Sequence, residues 1–173
     1  PLYLDICSTL KDKDINIYGG RYGLSSKNAT PSDIYSVYKM LEESPRNNFT
    51  IGINDDVTNL SLKTEPIEIE TKNKEIKIVG FGSDGMVSAS KDLLKILHAS
   101  KDLYVQGYFE YDSKKSGGVT VSHLRYGNNK INEPYYVTHP EIIVVTKDIY
   151  FRMFDIITNL KENGTLLINT IKN

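Results

Sequence analysis

Gly80, Gly82 and Gly85 stand between an apolar run, Ile76-Lys77-Ile78-Val79, and a helical pattern that begins near Met86. This Gly-x-Gly-x-x-Gly spacing, with a strand before it and a helix after it, fits the dinucleotide fingerprint. The glycines allow a tight turn and close approach of backbone to a pyrophosphate, and a helix start offers free N–H groups to an anion. Ser83 adds a hydroxyl donor. The carboxylate of Asp84 would repel phosphate unless it points away or caps the helix. The same spacing also serves a strand-to-helix turn that holds no ligand.

Farther on, Tyr111-Asp112-Ser113-Lys114-Lys115-Ser116-Gly117-Gly118 sets two cations among small residues that leave backbone amides accessible. Glu110 and Asp112 lie where the acid of a dinucleotide fold would meet a ribose. Lys114 and Lys115 instead suit a phosphate on that ribose, as in NADP or the 3′-phosphate of coenzyme A. A solvated basic loop is the plainer alternative. A βαβ unit would place the strands that lead into these two loops side by side.

Other chemistry finds less support. The Asp84-Gly85 pair is not a thiamine diphosphate motif, because Ser83 interrupts it and Phe109 to Asp112 stand where its asparagine should be. His98, His123 and His139 have no metal-ligand spacing and read as structural or solvated. Arg21, in the loop Gly19-Gly20-Arg21-Tyr22-Gly23-Leu24-Ser25-Ser26-Lys27, suits a phosphate, a carboxylate or a salt bridge between domains equally well.

The elements that must position these loops follow from periodicity. Residues 1–12 carry Leu2, Ile6 and Leu10 at helical spacing, and Ile15–Tyr18 alternates as a short strand. Thr30 is a good N-cap, with Pro31 at the first helical position and Asp33 three residues after the cap. That helix carries Ile34, Val37, Tyr38 and Leu41 and stops before Pro45. Phe49–Ile53 is the next strand. Pro66 and a charged tract from Glu65 to Glu75 put a domain boundary near residue 72.

Beyond the boundary the pattern predicts strands at Ile76–Val79, Leu103–Phe109, Val119–Leu124, Ile142–Val145 and Thr165–Ile168. Helices are expected at about Met86–Ala99 and Asp148–Glu162, the latter ended by Asn163-Gly164. Val119–Leu124 and Tyr135–Val137 could pair as a hairpin. Alternating strands and helices argue for an α/β fold, an open, mostly parallel Rossmann-like sheet with flanking helices, in two partial α/β segments.

Bulk properties exclude several classes. The 173 residues have 21 basic and 22 acidic side chains and a net charge of −1, so no global field draws the chain to nucleic acid or anionic membrane. The apolar runs are far too short to span a bilayer. A single cysteine, Cys7, rules out an internal disulfide and cannot alone hold an iron–sulfur cluster or structural zinc. The compartment reads as cytoplasmic. Pro1 in place of an initiator Met, and an end just after an apolar run, read as a piece of something longer.

Four stretches carry a family resemblance: Gly20–Lys27, Phe49–Thr58, Gly82-Ser-Asp-Gly-Met-Val87, and Tyr111-Asp-Ser-Lys-Lys-Ser-Gly-Gly-Val-Thr-Val-Ser-His-Leu-Arg125. In this order, over nearly the whole chain, they resemble the pyruvate:ferredoxin (flavodoxin) oxidoreductases, multidomain enzymes of anaerobic metabolism. The resemblance implies that residues 1–72 are the end of a transketolase C-terminal-like domain plus linker, and that 73–173 are a truncated gamma-type domain. In that family the gamma-type domain binds coenzyme A, the acyl acceptor after thiamine-dependent decarboxylation.

Carried over by position, the cofactor contacts implied are Gly82, Ser83, Lys114, Lys115 and Ser116, with no catalytic residue and no metal ligand in this chain. Met86 departs from the family pattern, where a Thr is expected, and Ser88-Ala89-Ser90-Lys91 replaces a Gly-Ala-Asn-Lys-like segment. Thiamine diphosphate, Mg2+ and iron–sulfur clusters are implied for the parent enzyme outside this stretch. So are ferredoxin or flavodoxin as electron acceptor and a homodimeric state. The alternative reading is an NADP- or coenzyme A-binding Rossmann-like module without catalysis of its own.

Overall fold

The computed structural model describes residues 2–24, 27–53, 57–111 and 118–171. The chain divides into two compact units, Pro1–Ile69 and Glu70–Asn173.

The first unit contains α1 (Leu2–Thr9), β1 (Gly20–Arg21), α2 (Pro31–Glu43) and β2 (Phe49–Thr50). β1 and β2 pair in parallel, and Thr50 makes a further parallel bridge to Ser61. Thr30 caps α2 as the sequence predicts. Its hydroxyl accepts the Asp33 N–H at 3.2 Å, and the Asp33 carboxylate accepts the Thr30 N–H at 2.8 Å, a reciprocal capping box. Thr64 adds a hydrogen bond to the same carboxylate at 2.8 Å. Burial raises the Asp33 carboxyl, but the Thr30 and Thr64 hydrogen bonds outweigh it and hold the group below its ordinary value.

The buried face of α2 is rotated from the one expected. Met40 is in the core with Phe49 and Ile51, and Val37 and Leu41 pack beside it, while Ile34 and Tyr38 are exposed. Asp33 in the first turn and Ser36 in the second are buried instead, and the Ser36 hydroxyl donates to the Asp33 carbonyl at 2.7 Å. Ile15–Tyr18 forms no strand; the pairing falls at Gly20–Arg21 instead.

The second unit is a five-stranded sheet of β3 (Lys74–Phe81), β4 (Tyr104–Tyr111), β5 (Val119–Gly127), β6 (Ile142–Val145) and β7 (Thr165–Ile168), in the order β4-β5-β3-β6-β7. α3 (Met86–Lys101) and the single turn α4 (Tyr150–Met153) complete it. β3, β6 and β7 run parallel, whereas β5 lies antiparallel between β3 and β4. The α/β class holds, with a mixed sheet.

Two expectations fail here for a common reason. β3 and β4 are not neighbours, and β5 forms no hairpin with Tyr135–Val137, because β5 fills the space between β3 and β4 and both its edges are paired. The expected long helix from Asp148 also stops after one turn. Phe154 turns extended (φ −138°, ψ 147°), which lets Ile156 enter the core. The Asp155 carboxylate then accepts the Thr158 hydroxyl at 2.6 Å and its N–H at 3.3 Å. Such local side-chain acceptors compete with helix.

Strand alternation gives the sheet two cores. One face packs Ile76, Ile78 and Leu124 against Leu94 of α3. The other packs Val79, Ile143 and Val145 against Tyr150 and Ile156. This second face also carries charge. Glu75 and Arg125 are buried and joined by a 2.7 Å ion pair from Arg125 Nε, and Arg125 Nη1 donates to the Tyr135 carbonyl at 2.6 Å. Desolvation nonetheless pushes the Glu75 carboxyl above its ordinary value, against the pull of Arg125.

Candidate functional site

The glycine turn leaves β3 at the middle of the sheet. Asp84 resolves its own electrostatic difficulty: its carboxylate accepts the Phe81 N–H at 2.7 Å, the Met86 N–H at 2.9 Å and the Thr146 hydroxyl at 3.1 Å. It therefore points back into the turn and caps the first residue of α3. Gly85 supplies the left-handed residue that precedes the helix, at φ 84°. Ser83 adopts φ 74°, a conformation that only glycine takes without strain. This geometry lowers the number of amides that an anion could use, since Phe81 and Met86 already donate to Asp84. The N–H groups of Val87 and Ser88, in the first turn of α3, have no intrahelical acceptor.

Gly82 is where side-chain absence matters. Its N–H donates to the Gly118 carbonyl at 2.8 Å, and a Cβ built on it would lie 3.2 Å from that same oxygen. The glycine turn is thus tied to the closing residue of the basic loop. The register achieves this through β5, where Val119 pairs with Phe81, and not through a βαβ crossover. Lys114, Lys115 and Ser116 lie outside the described residues.

The turn also opens on a cleft of about 550 Å³ at the carboxyl ends of β3, β6 and β7, lined by Asp84, Met86, Thr146, Lys147 and Asn169 among others. The chain leaves β3 toward β4 on one side and reaches β6 and β7 on the other, so this crevice stands at the topological switch point of the sheet. Open α/β sheets bind ligands at such points. Lys147, which sequence reasoning did not single out, brings a cation there, its Nζ 3.9 Å from the centre of the Phe81 ring.

A second cleft, of about 570 Å³, lies on the face opposite α3, where Lys77, Glu110 and Asp155 edge a floor that includes Val79, Val119 and Val121. His123 is buried nearby and stacked on Tyr136 at 4.4 Å, with Nε2 3.4 Å from Glu110. Burial first, and then the charges of Lys77 and Arg125, lower its pKa from 6.5 to about 4, so the imidazole is neutral at pH 7. The alternation of Val119, Val121, His123 and Arg125 along one strand was the available signal, since polar residues on an otherwise apolar face need partners. Among the described residues, no group of three or more His, Cys, Asp or Glu side chains could hold a metal ion, and no helix is long and apolar enough to cross a membrane.

Comparison with known proteins gives these features a family. The family described as POR, Pyruvate ferredoxin/flavodoxin oxidoreductase, matches residues 75–173. A pyruvate-flavodoxin oxidoreductase of Enterobacter agglomerans is 45% identical over 98% of this chain and 15% of its own length. A pyruvate:ferredoxin oxidoreductase of Moorella thermoacetica is 42% identical over the same shares. The solved structure of pyruvate oxidoreductase subunit PORC from Thermotoga maritima is 31% identical over 60% of this chain and 53% of that one, with a TM-score of 0.49. The chain spans about 15% of the length of these two curated relatives. With more than half of its residues matched by that description, the chain belongs to the pyruvate ferredoxin/flavodoxin oxidoreductase family.

Proposed function

We propose that this chain forms one wall of the coenzyme A site of an enzyme that oxidatively decarboxylates pyruvate to acetyl-CoA and CO2, reducing ferredoxin or flavodoxin. The observation that supports the reading is the hydrogen bond from Gly82 to Gly118, which ties the glycine turn to the residue that closes the Lys114-Lys115 stretch in sequence. Gly82 would let backbone approach the pyrophosphate, the exposed Ser83 hydroxyl would donate to it, and the retracted Asp84 leaves no carboxylate aimed at the anion. Lys114 and Lys115, with Ser116, would neutralise the 3′-phosphate of the ribose. The chain's role is to bind and orient the acyl acceptor, and it supplies no catalytic group.

The remaining chemistry belongs to other parts of a longer protein. Thiamine diphosphate with Mg2+ would supply the decarboxylation and iron–sulfur clusters the electron transfer, in a cytoplasmic homodimer. Within that assembly residues 1–72 would end a transketolase C-terminal-like domain, and 73–173 would open the gamma-type domain.

Binding of coenzyme A, dephospho-coenzyme A and NADP to the purified chain tests the reading, by thermal shift and titration calorimetry. Coenzyme A is expected to bind best, with dephospho-coenzyme A weaker. Replacing Lys114 and Lys115 together with Glu should cost at least tenfold in affinity and flatten the salt dependence, because two phosphate contacts are lost. An equal response to NADP, or unchanged affinity in the double variant at low salt, would remove the basic loop from a coenzyme A site.

A further inference from the structure

The glycine turn gathers several hydrogen-bond donors around one acidic side chain. Asp84 Oδ2 accepts the Phe81 N–H at 2.7 Å and the Thr146 hydroxyl at 3.1 Å, and Oδ1 accepts the Met86 N–H at 2.9 Å. At the same helix start the N–H groups of Val87 and Ser88 have no intrahelical acceptor. Lys147 lines the adjoining cleft, in which Asp84 is the one acidic side chain among the described residues. The buried Tyr150 hydroxyl has no partner among the described residues, and the charge of Asp84 adds to burial in raising its pKa.

Such a concentration of donors favours negative charge. In dinucleotide-binding folds the pyrophosphate of the ligand supplies it, at the helix start behind the glycine turn. Here the chain supplies it. Gly80, the first glycine of the fingerprint, makes room for the carboxylate: a Cβ built on it would lie 3.1 Å from Asp84 Oδ2. Asp84 also donates its own N–H to the Phe81 carbonyl at 3.0 Å, so it closes the turn through backbone and side chain together. Thr146 extends the hold to the next strand. It follows β6 and donates its N–H to the Val79 carbonyl at 3.0 Å, while its hydroxyl reaches Asp84. One carboxylate thereby ties β3, α3 and the end of β6.

We propose that Asp84 is a positioning residue that sets ligand specificity: its carboxylate fills the anion seat at the start of α3 and bars the pyrophosphate of a nicotinamide dinucleotide from this turn. An incoming phosphate would have to displace the carboxylate from three donors and would meet a like charge at the same point. Ser83 remains exposed on the turn, so the inference neither rests on the coenzyme A reading nor conflicts with it.

Asp84→Ala removes the carboxyl group and leaves three converging donors around a gap that formate matches in size and charge. In urea unfolding of the 173-residue chain, this variant should have a lower midpoint than the parent in sodium chloride. Sodium formate at equal ionic strength should restore at least half of that loss, with a saturating concentration dependence, and should leave the parent where chloride leaves it. A residue whose loss only loosens the turn would respond to the two salts alike. By titration calorimetry, NADP and inorganic pyrophosphate should bind Asp84→Ala at least tenfold more tightly than the parent. Asp84→Asn keeps the size of the side chain and sheds its charge. It should gain about threefold for the same two ligands and show no rescue by formate, because its amide fills the gap.

Equal effects of formate and chloride on Asp84→Ala overturn the internal anion. Rescue by formate with no gain for NADP or pyrophosphate would reduce the carboxylate to a helix cap and overturn its part in specificity. NADP binding to the parent as tightly as to Asp84→Ala would do the same. If Asp84→Ala is unfolded in both salts, Asp84→Asn decides: a threefold gain for NADP and pyrophosphate supports the proposal, and affinity within twofold of the parent overturns it. The coenzyme A reading fails separately, on absence of coenzyme A binding to the parent, whatever formate does to Asp84→Ala.

Discussion

The two ends of β3 are built on opposite principles. At its amino end the strand is fixed by side chains: Glu75 is buried against Arg125, the Glu75 N–H donates to Glu141 at 2.6 Å, and Glu133 accepts from Thr71 and Asn73 at 2.6 and 2.9 Å. At its carboxyl end Gly80 and Gly82 carry no side chain, and the chain path is held by backbone hydrogen bonds and the carboxylate of Asp84. The buried ion pair excludes ligands because Arg125 is sealed from solvent and commits Nε and Nη1 to protein, with Nη2 left buried and without a partner among the described residues. A glycine turn leaves backbone within reach of one. The contrast sets an end of the strand fixed by buried side chains against an end held by backbone and one carboxylate.

The contrast is broken most severely at Arg125. Its side chain is fully buried and donates to Glu75, to Gln106 and to the Tyr135 carbonyl. Removing one partner of a buried pair leaves an uncompensated charge, so Arg125→Met should destabilise the second unit by about 3–5 kcal/mol in denaturant unfolding. Adding Glu75→Met should restore much of that loss, since two apolar side chains avoid the desolvation that already raises the Glu75 carboxyl. A double variant as unstable as the single one would mean that the carbonyl contacts, and not the ion pair, hold this end.

His123 lies between the two ends and sharpens the comparison through pH. It is surrounded by Lys77, Arg125, Tyr136 and, at 3.4 Å, Glu110. The folded pKa is depressed from 6.5 to about 4, so the unfolded chain binds the extra proton first as pH falls. Stability is therefore complete above about 6.5 and is lost between about 6.5 and 4, by up to about 3 kcal/mol. His123→Gln should flatten that part of the stability–pH curve, measured by denaturant unfolding at fixed pH values. A slope unchanged by the substitution would place the responsible titration on another group.

How much of this was legible in the sequence depended on whether the cause was local. The Thr30 cap, the strand at Ile142–Val145 and the turn-to-helix step at Met86 are specified by neighbouring residues, and they fold as read. The order of strands was not local. The segment between β3 and β5 reads as strand, turn, helix and strand, which is also what a parallel crossover would show; the antiparallel insertion of β5 rests on pairing on both of its edges. The helix expected from Asp148 failed because Ile156 had to reach the core, a tertiary demand that overrides helical spacing. The turn at Gly82 and Ser83 was legible from spacing. Lys147 was not singled out, because its approach to the Phe81 ring requires β6, far along the chain, to pair beside β3.

The smallest effect is expected at Ser83, where the glycine turn bears a local cost. The φ of 74° places an L-residue in the left-handed region, a strain of about 1 kcal/mol that glycine does not incur. Ser83→Gly removes that strain but also widens the unfolded ensemble, so the net gain should be only a few tenths of a kcal/mol up to about 1. Ser83→Ala keeps the strain and deletes the hydroxyl. If the turn is strained for the sake of presenting that hydroxyl, the Gly variant should unfold at higher denaturant than the Ala variant, while both lose affinity for coenzyme A to a similar degree. Equal midpoints for the two would show that the turn is unstrained. A loss of affinity confined to the Gly variant would shift the role of residue 83 from its hydroxyl to the rigidity of its backbone.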